Sequence, residues 1–191
     1  PPASRCAGGG VPPAGGPPAT PRPPVRCDSV ASPSPPPPPP PRAAGLAVGA
    51  YHFFTFCRPG LDQAKNFIAV VPHDQPLLPP VVDIEFGGNC PQRPTPEQLN
   101  AELQAFLGPV EAVFGKKAIV YLTDEAAIAY AGQIAARPLW LRSLLLQPDR
   151  SDWVYWQYHN RGRVDGIDGD VDLNVLQGGQ EKLATLLAYT H

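Results

Sequence analysis

The run Pro79-Pro80-Val81-Val82-Asp83-Ile84-Glu85-Phe86-Gly87-Gly88 constrains the architecture of this chain more than any other segment. It closes an apolar stretch that begins at Leu78, enters through two prolines and leaves through two glycines. So short a run, rich in β-branched residues and bounded by chain breakers, predicts a buried strand over Leu78 to Phe86. Residues i and i+2 of a strand point to one face about 6.5–7 Å apart, so Asp83 and Glu85 share one cavity. Two acids side by side in an otherwise apolar strand repel and lose solvation, which raises at least one pKa and leaves a proton donor near neutral pH. The same two residues also fit a plainer arrangement, acids at a strand end that reach solvent or pair with an arginine.

On either side of this run, strand-like and helix-like segments alternate. Leu46 to Phe54 is apolar and aromatic and short enough for a buried strand, and Gly60 to Val71 then places Ala64, Phe67, Ile68 and Val71 at helical spacing. Downstream, Thr95 is positioned to cap a helix, Pro96 sits where no N–H is needed, and Gln98 can return the capping-box bond. Leu99, Leu103, Phe106, Leu107, Val110 and Phe114 form the apolar face of that helix, which should stop at Gly115. Ala118 to Leu122 predicts a third strand, with Thr123 capping a short helix through Tyr130. Leu139 to Leu141, Trp153 to Tyr158 and Val171 to Val175 predict three more strands, before a last helix from about Gln180 to Tyr189. Alternation of this kind implies right-handed crossovers and a parallel sheet with helices outside, an α/β class. Periodicity alone leaves an open sheet and most of a barrel equally possible.

The chain has 191 residues with 28 prolines and 18 glycines, unevenly distributed. Residues 1–42 hold 17 of the prolines, including the unbroken run Pro35 to Pro41, with four Arg, no Lys and the single acid Asp28. This segment cannot build a core and is expected to be disordered, with polyproline II character at its end. Residues 43–191 hold every Trp, Tyr and Phe and form the globular domain. The formal net charge of −2 divides into +3 for the first segment (4 − 1) and −5 for the second (11 − 16). No clustered basic surface emerges, which argues against a nucleic-acid partner. No apolar run approaches the ~20 residues that span a bilayer, so membrane insertion is not expected, and no charged n-region with an apolar h-region is visible to show an export route.

A second group of acids lies in Asp165-Gly166-Ile167-Asp168-Gly169-Asp170-Val171-Asp172-Leu173-Asn174. A calcium loop beginning at Asp168 would need glycine at Leu173 and glutamate at Gly179, so the segment reads instead as a tight turn feeding a short strand. Asp172 and Asn174 then point the same way, although a merely solvated turn fits too. Aromatic residues gather at strand ends: Tyr51 and Phe53, Tyr121, Trp140, Trp156 and Tyr158. Core packing explains such rings, and so does a sugar site, where a ring stacks on the apolar face of a pyranose. His52 reads as a hydrogen-bonded supporting group, because no other His or Cys stands at zinc spacing. No metal and no cofactor is expected.

GAYHFF (49–54), PPVVDIEFGG (79–88) and YWQYHNRGRVDGIDGDVDLN (155–174), with the spacing between them, resemble the glycoside hydrolase family 25 lysozymes, N-acetylmuramidases of the Asp-x-Glu type. The resemblance covers roughly residues 42–190. It implies a β/α barrel of the family type and cleavage of the β-1,4 bond between N-acetylmuramic acid and N-acetylglucosamine in peptidoglycan. It further implies Glu85 as catalytic acid/base, Asp83 as the first acid of the Asp-x-Glu pair, and Asp172 as the aspartate of Val-Asp-Leu-Asn. Tyr51, Phe53, Tyr121, Trp140 and Gln157 would line the glycan groove. The glycan strands of peptidoglycan are the expected partner, the chain is expected to act as a monomer, and an extracellular or periplasmic location follows from the family.

Relatives of this kind open with a strand carrying an active-site aspartate, a helix, and a second strand with groove residues, and no such text stands upstream of Arg42. The expectation is therefore an incomplete barrel, with free edges on Leu46–Phe54 and Val171–Val175, low solubility and weakened turnover. Residues 1–42 read as a spacer, as a proline-rich ligand, or as an out-of-frame translation of the missing part. Two other functions stay open: a glycan-binding remnant without turnover, and a proline-rich interaction protein that carries the globular part. A chitinase-like hydrolase is less well supported, because the longer run of alternating acids is absent around Asp83. Cys57 and Cys90 each lie just beyond the C-terminal end of a strand, and in a parallel barrel those loops are neighbours, so a disulfide between them is expected in an oxidising compartment. Cys6 and Cys27 are expected to be unpaired or to pair indiscriminately.

Overall fold

The computed structural model describes residues 45–74, 77–130, 132, 134 and 137–188. Residues 1–42, with Cys6 and Cys27, and Tyr189 lie outside the described residues. The elements run β1 (Tyr51–Phe53), α1 (Gly60–Val70), β2 (Val81–Ile84), α2 (Pro96–Phe114), β3 (Ile119–Leu122), α3 (Asp124–Tyr130), β4 (Leu139–Arg142), β5 (Trp153–Gly162), β6 (Val171–Leu176) and α4 (Gly179–Leu187). The strands form one mixed sheet in sequence order, β1 to β6. Side chains from all six strands wall a single cavity, which a flat sheet could not achieve, so the sheet is curled into a half-barrel.

β1 and β2 are shorter than their apolar runs, and the prolines explain why. Leu78 N and Val81 N donate to Val48 O and Ala50 O, but Pro79 and Pro80 between them have no N–H, so the regular ladder starts only at Tyr51 opposite Val81. β2 then lies in parallel register between β1 and β3, with Asp83 opposite Phe53 on one side and Tyr121 on the other. Pairing stays parallel through β5. β6 departs from the expected all-parallel sheet, because it runs antiparallel to β5, with Gln157 opposite Asn174. The segment 163–170 that joins them is a short acidic turn, and a connection of that kind makes a hairpin, whereas a parallel return needs a crossover of a dozen or more residues. β1 and β6 are the outer strands among the described residues.

Alternation along each strand sorts the side chains. Val82, Ile84, Val120 and Leu122 are fully buried, together with Leu103, Phe106, Leu107 and Val110 of α2 and Ala64 and Phe67 of α1. Each large apolar side chain so buried contributes about 1.5–3 kcal/mol, and these contacts hold the helical layer on the outside of the sheet. α2 begins as its sequence requires: Gln98 N donates to Thr95 Oγ1 at 3.3 Å, Thr95 N donates to Gln98 Oε1 at 2.9 Å, and Gly115 ends the helix at φ 63°. His52 faces this layer, stacked on Phe106 with ring centroids 5.0 Å apart. Gln63 donates through Nε2 to Thr55 O and Arg58 O, so its Oε1 accepts, and His52 Nε2 carries the hydrogen across 2.9 Å. Lys116 is buried and donates to the carbonyls of Leu77, Leu186 and Leu187, placing its charge at the negative end of α4.

α1 and α2 approach closely at Gly60, where an added Cβ would lie 1.9 Å from the carbonyl oxygen of Glu102. That oxygen belongs to the α2 backbone and cannot turn aside. Gly60→Ala should therefore destabilise the fold by about 1–3 kcal/mol through overpacking, seen as a lower midpoint in thermal or urea unfolding. An unchanged midpoint would mean that α1 and α2 do not meet at this distance.

Candidate active site

The curled inner face of the sheet encloses a cavity of about 290 Å³. Asp83 reaches it from β2, and Glu85 from the residue just past the end of β2. Tyr51 comes from β1, Tyr121 from β3, Trp140 from β4, Gln157 from β5 and Asp172 from β6. Of the residues singled out in the sequence, these seven converge. Phe53 does not line the cavity, although it stands opposite Asp83 in the β1–β2 register. Of the acids in the 165–172 turn only Asp172 lines the cavity, while Asp170 pairs with Arg163 at 2.9 Å on the surface. A larger cavity, about 560 Å³, opens elsewhere, beside the loop after β1 and the first half of α2. It gathers no group of carboxylates, so the chemistry belongs to the smaller one.

Burial, the Glu85 charge and the Asp172 charge together push the Asp83 carboxyl up from 3.8 to about 7. Its Oδ1 is buried and has no hydrogen-bond partner among the described residues. Glu85 is also raised, first by burial, while the guanidinium of Arg142 works against the rise and Asp172 adds to it. The two acids are thus distinguished by their neighbours. Both carboxyls are raised, Asp83 with two like charges adding to its burial and Glu85 with a cation working against its own.

The aromatic walls are fixed by hydrogen bonds. Tyr121 Oη donates to Gln157 Oε1 at 2.6 Å, and burial holds its phenol well above the usual range, so it stays neutral. Trp140 Nε1 donates to Asn174 Oδ1 at 2.8 Å. Its ring meets those of Tyr121 and Tyr155, each with centroids 5.4 Å away. A second, more apolar cavity of about 240 Å³ adjoins the first and shares Tyr51, Val81 and Trp140 with it. Arg142 was not anticipated from the sequence. The signal was present: it stands two residues after Trp140 on a strand and therefore on the same face, opposite Gln157.

Cys57 and Cys90 form a disulfide with Cα atoms 6.0 Å apart, joining the loop after β1 to the loop after Glu85. The expected pairing is present.

The sequence profile of Glycosyl hydrolases family 25 matches residues 40–167, a range that contains Asp83 and Glu85 but stops short of Asp172. Uncharacterized protein YegX of Escherichia coli O157:H7 is 34% identical over 149 residues, covering 74% of this chain and 52% of the relative. Lysozyme M1 of Streptomyces globisporus is 30% identical over 162 residues, covering 75% of this chain and 54% of the relative. The chain therefore spans about half the length of the curated relatives it matches. Among solved structures, a family 25 glycosyl hydrolase from Bacillus anthracis superposes with a TM-score of 0.68 at 39% identity, over 77% of this chain and 71% of that one.

Asp83 carries a stability consequence whose sign follows from its titration. The folded chain holds this proton up to about pH 7, whereas the unfolded chain releases it near 3.8, so stability falls as pH rises between those values. Asn at this position is always neutral and removes that fall. Asp83→Asn should be more stable than the parent at pH 8 by about 1–2 kcal/mol, a figure discounted from ~1.4 kcal/mol per pH unit because the half-buried carboxyl is partly screened by water. The two should converge below pH 4. Urea unfolding at both pH values measures it, and equal stability at pH 8 would contradict the buried, unpartnered placement.

Proposed function

This chain belongs to glycosyl hydrolase family 25, and on that premise we propose that it is a lysozyme-type glycosidase that hydrolyses β-1,4 bonds in the glycan strands of peptidoglycan. The observation that carries the reading is the convergence of Asp83, Glu85 and Asp172 on one cavity walled by Tyr51, Tyr121 and Trp140. Glycoside cleavage needs both kinds of group, rings to hold a pyranose and carboxyls to move a proton and face positive charge.

Glu85 is the proton donor in this reading. It lies past the end of the ladder, and burial raises its carboxyl while Arg142 works against the rise, so it holds its proton to higher pH than a free glutamate does. It protonates the glycosidic oxygen as the bond to the anomeric carbon breaks, and later accepts a proton from the water that completes hydrolysis. Positive charge developing on the sugar favours the ionised forms of Asp83 and Asp172, so their stabilisation grows as the transition state forms. A direct carboxylate attack places the two carboxyls about 5–5.5 Å apart, less than the ~6.5–7 Å strand spacing of Asp83 and Glu85. Attack by the substrate's own N-acetyl oxygen needs no such carboxylate separation. Trp140, fixed by Asn174, and Tyr121, fixed by Gln157, give the pyranose faces against which to stack. The disulfide suits action outside a reducing cytoplasm.

A second reading, glycan binding with slow turnover, is favoured by one feature. Tyr51 is 68% exposed on an outer strand, so the cavity is open on its β1 side and water weakens the charges within it. Binding to sacculi without release of reducing ends would distinguish it.

Glu85→Gln should lower reducing-end release from purified peptidoglycan by about 10²–10⁴-fold with the fold intact, since an amide of the same shape cannot protonate a leaving group. Asp172→Asn should lower it by about 10–100-fold. Full activity in Glu85→Gln would end this assignment of the proton donor.

A further inference from the structure

The β1–β2 ladder stops just before the residue that matters most. Phe54 N donates to Asp83 O at 2.9 Å, and β2 ends at Ile84. Past that point no backbone bond is made between the β1 side and Glu85 among the described residues. The next groups in line are Phe54 O and Phe56 N on one side and Glu85 O on the other, and one side chain satisfies all three. Asn89 Nδ2 donates to Phe54 O at 2.9 Å and to Glu85 O at 3.0 Å. Its Oδ1 accepts from Phe56 N at 2.9 Å and from Cys90 N at 2.9 Å. A carboxamide has two donors and room for two acceptor bonds, so all its capacity is used. The amide orientation follows from its partners, because turning it over would set N–H against N–H and oxygen against two carbonyls. Gly88, at φ 70°, brings the chain back so that this side chain can reach Glu85.

The disulfide Cys57–Cys90 joins the same two loops one residue farther out. It limits how far the loops separate, but a single covalent tie does not orient the peptide of Glu85. The carboxamide does. We propose that Asn89 is a positioning residue: it extends the β1–β2 pairing past the end of the ladder, fixes the peptide of Glu85, and so sets the direction in which that side chain enters the cavity. This rests on the reading of Glu85 as proton donor.

The test uses the intact oxidised chain and compares Asn89→Ala with Cys57→Ser/Cys90→Ser, which loosens the same loops without touching the carboxamide. On purified peptidoglycan, Asn89→Ala should lose at least about tenfold in kcat with KM within about twofold, because a slightly misplaced proton donor affects chemistry more than binding. The double cysteine variant should melt lower and keep kcat within about threefold. If the alanine variant does not fold, Asn89→Asp keeps the shape and both acceptor bonds while losing the donors, and the same kcat loss is expected. A kcat within twofold of the parent, or an equal kcat loss in the double cysteine variant, overturns the proposal. If the parent chain itself releases no reducing ends, the hydrolase reading fails, and Asn89 is then judged on the free protein. There, carbon NMR follows the Glu85 carboxyl, which faces Asp83 on β2, Tyr121 on β3, Arg142 on β4 and Asp172 on β6. A titration displaced by more than about half a pH unit in the variant supports positioning, and an unmoved titration overturns it.

Discussion

The parallel pairing of β2 with a strand on each side is the constraint on which the site depends. Its inner face carries Asp83 between Phe53 and Tyr121, while its outer face sends Val82 and Ile84 into the helical layer. A slip of one residue would exchange these sets, placing a carboxyl against Phe106 and two aliphatic side chains in the cavity. Full burial of Val82 and Ile84 therefore fixes where the acids point. The acids are held where they are because the apolar residues between them have nowhere else to go.

That arrangement trades stability for reactivity in one short segment. Among the described residues the buried oxygen of Asp83 has no partner, and its carboxyl is pushed up to about 7, so the folded state carries an unfavourable electrostatic contribution at neutral pH. The helical layer offsets it from behind, through the cluster built on Phe54, Phe67, Phe106 and Phe114. In front, the loops after β1 and after Glu85 are joined by the Asn89 carboxamide and by the disulfide. Rigid support and a strained charge thus sit within a few residues of each other, as a site that must hold its geometry without solvent help requires.

Features written in local chemistry were legible in the sequence. The capping box at Thr95 and the stop at Gly115 appear as read, because each depends on residues within one turn. Asp83 and Glu85 share a cavity as their strand spacing implied, and Asp172 joins them as the family resemblance implied. Strand direction was not legible, since a period of two is the same whether the neighbour runs parallel or antiparallel, and β6 turned out antiparallel to β5. The extent of β1 was set by its neighbour, through Pro79 and Pro80, and could not be seen in its own residues. Arg142 looked like an ordinary charge at a strand end, and Asn89, after two glycines, looked like a turn residue. Their importance comes from what lies across the sheet, which single-segment patterns do not record.

In the proposed reaction the three carboxylates act together to hydrolyse the bond on the reducing side of N-acetylmuramic acid. The most direct measurement is digestion of purified peptidoglycan in water enriched in ¹⁸O, followed by mass spectrometry of the fragments. The new reducing ends should be N-acetylmuramic acid and carry one ¹⁸O at the anomeric position. Reducing ends of N-acetylglucosamine, or fragments without the label, would contradict it.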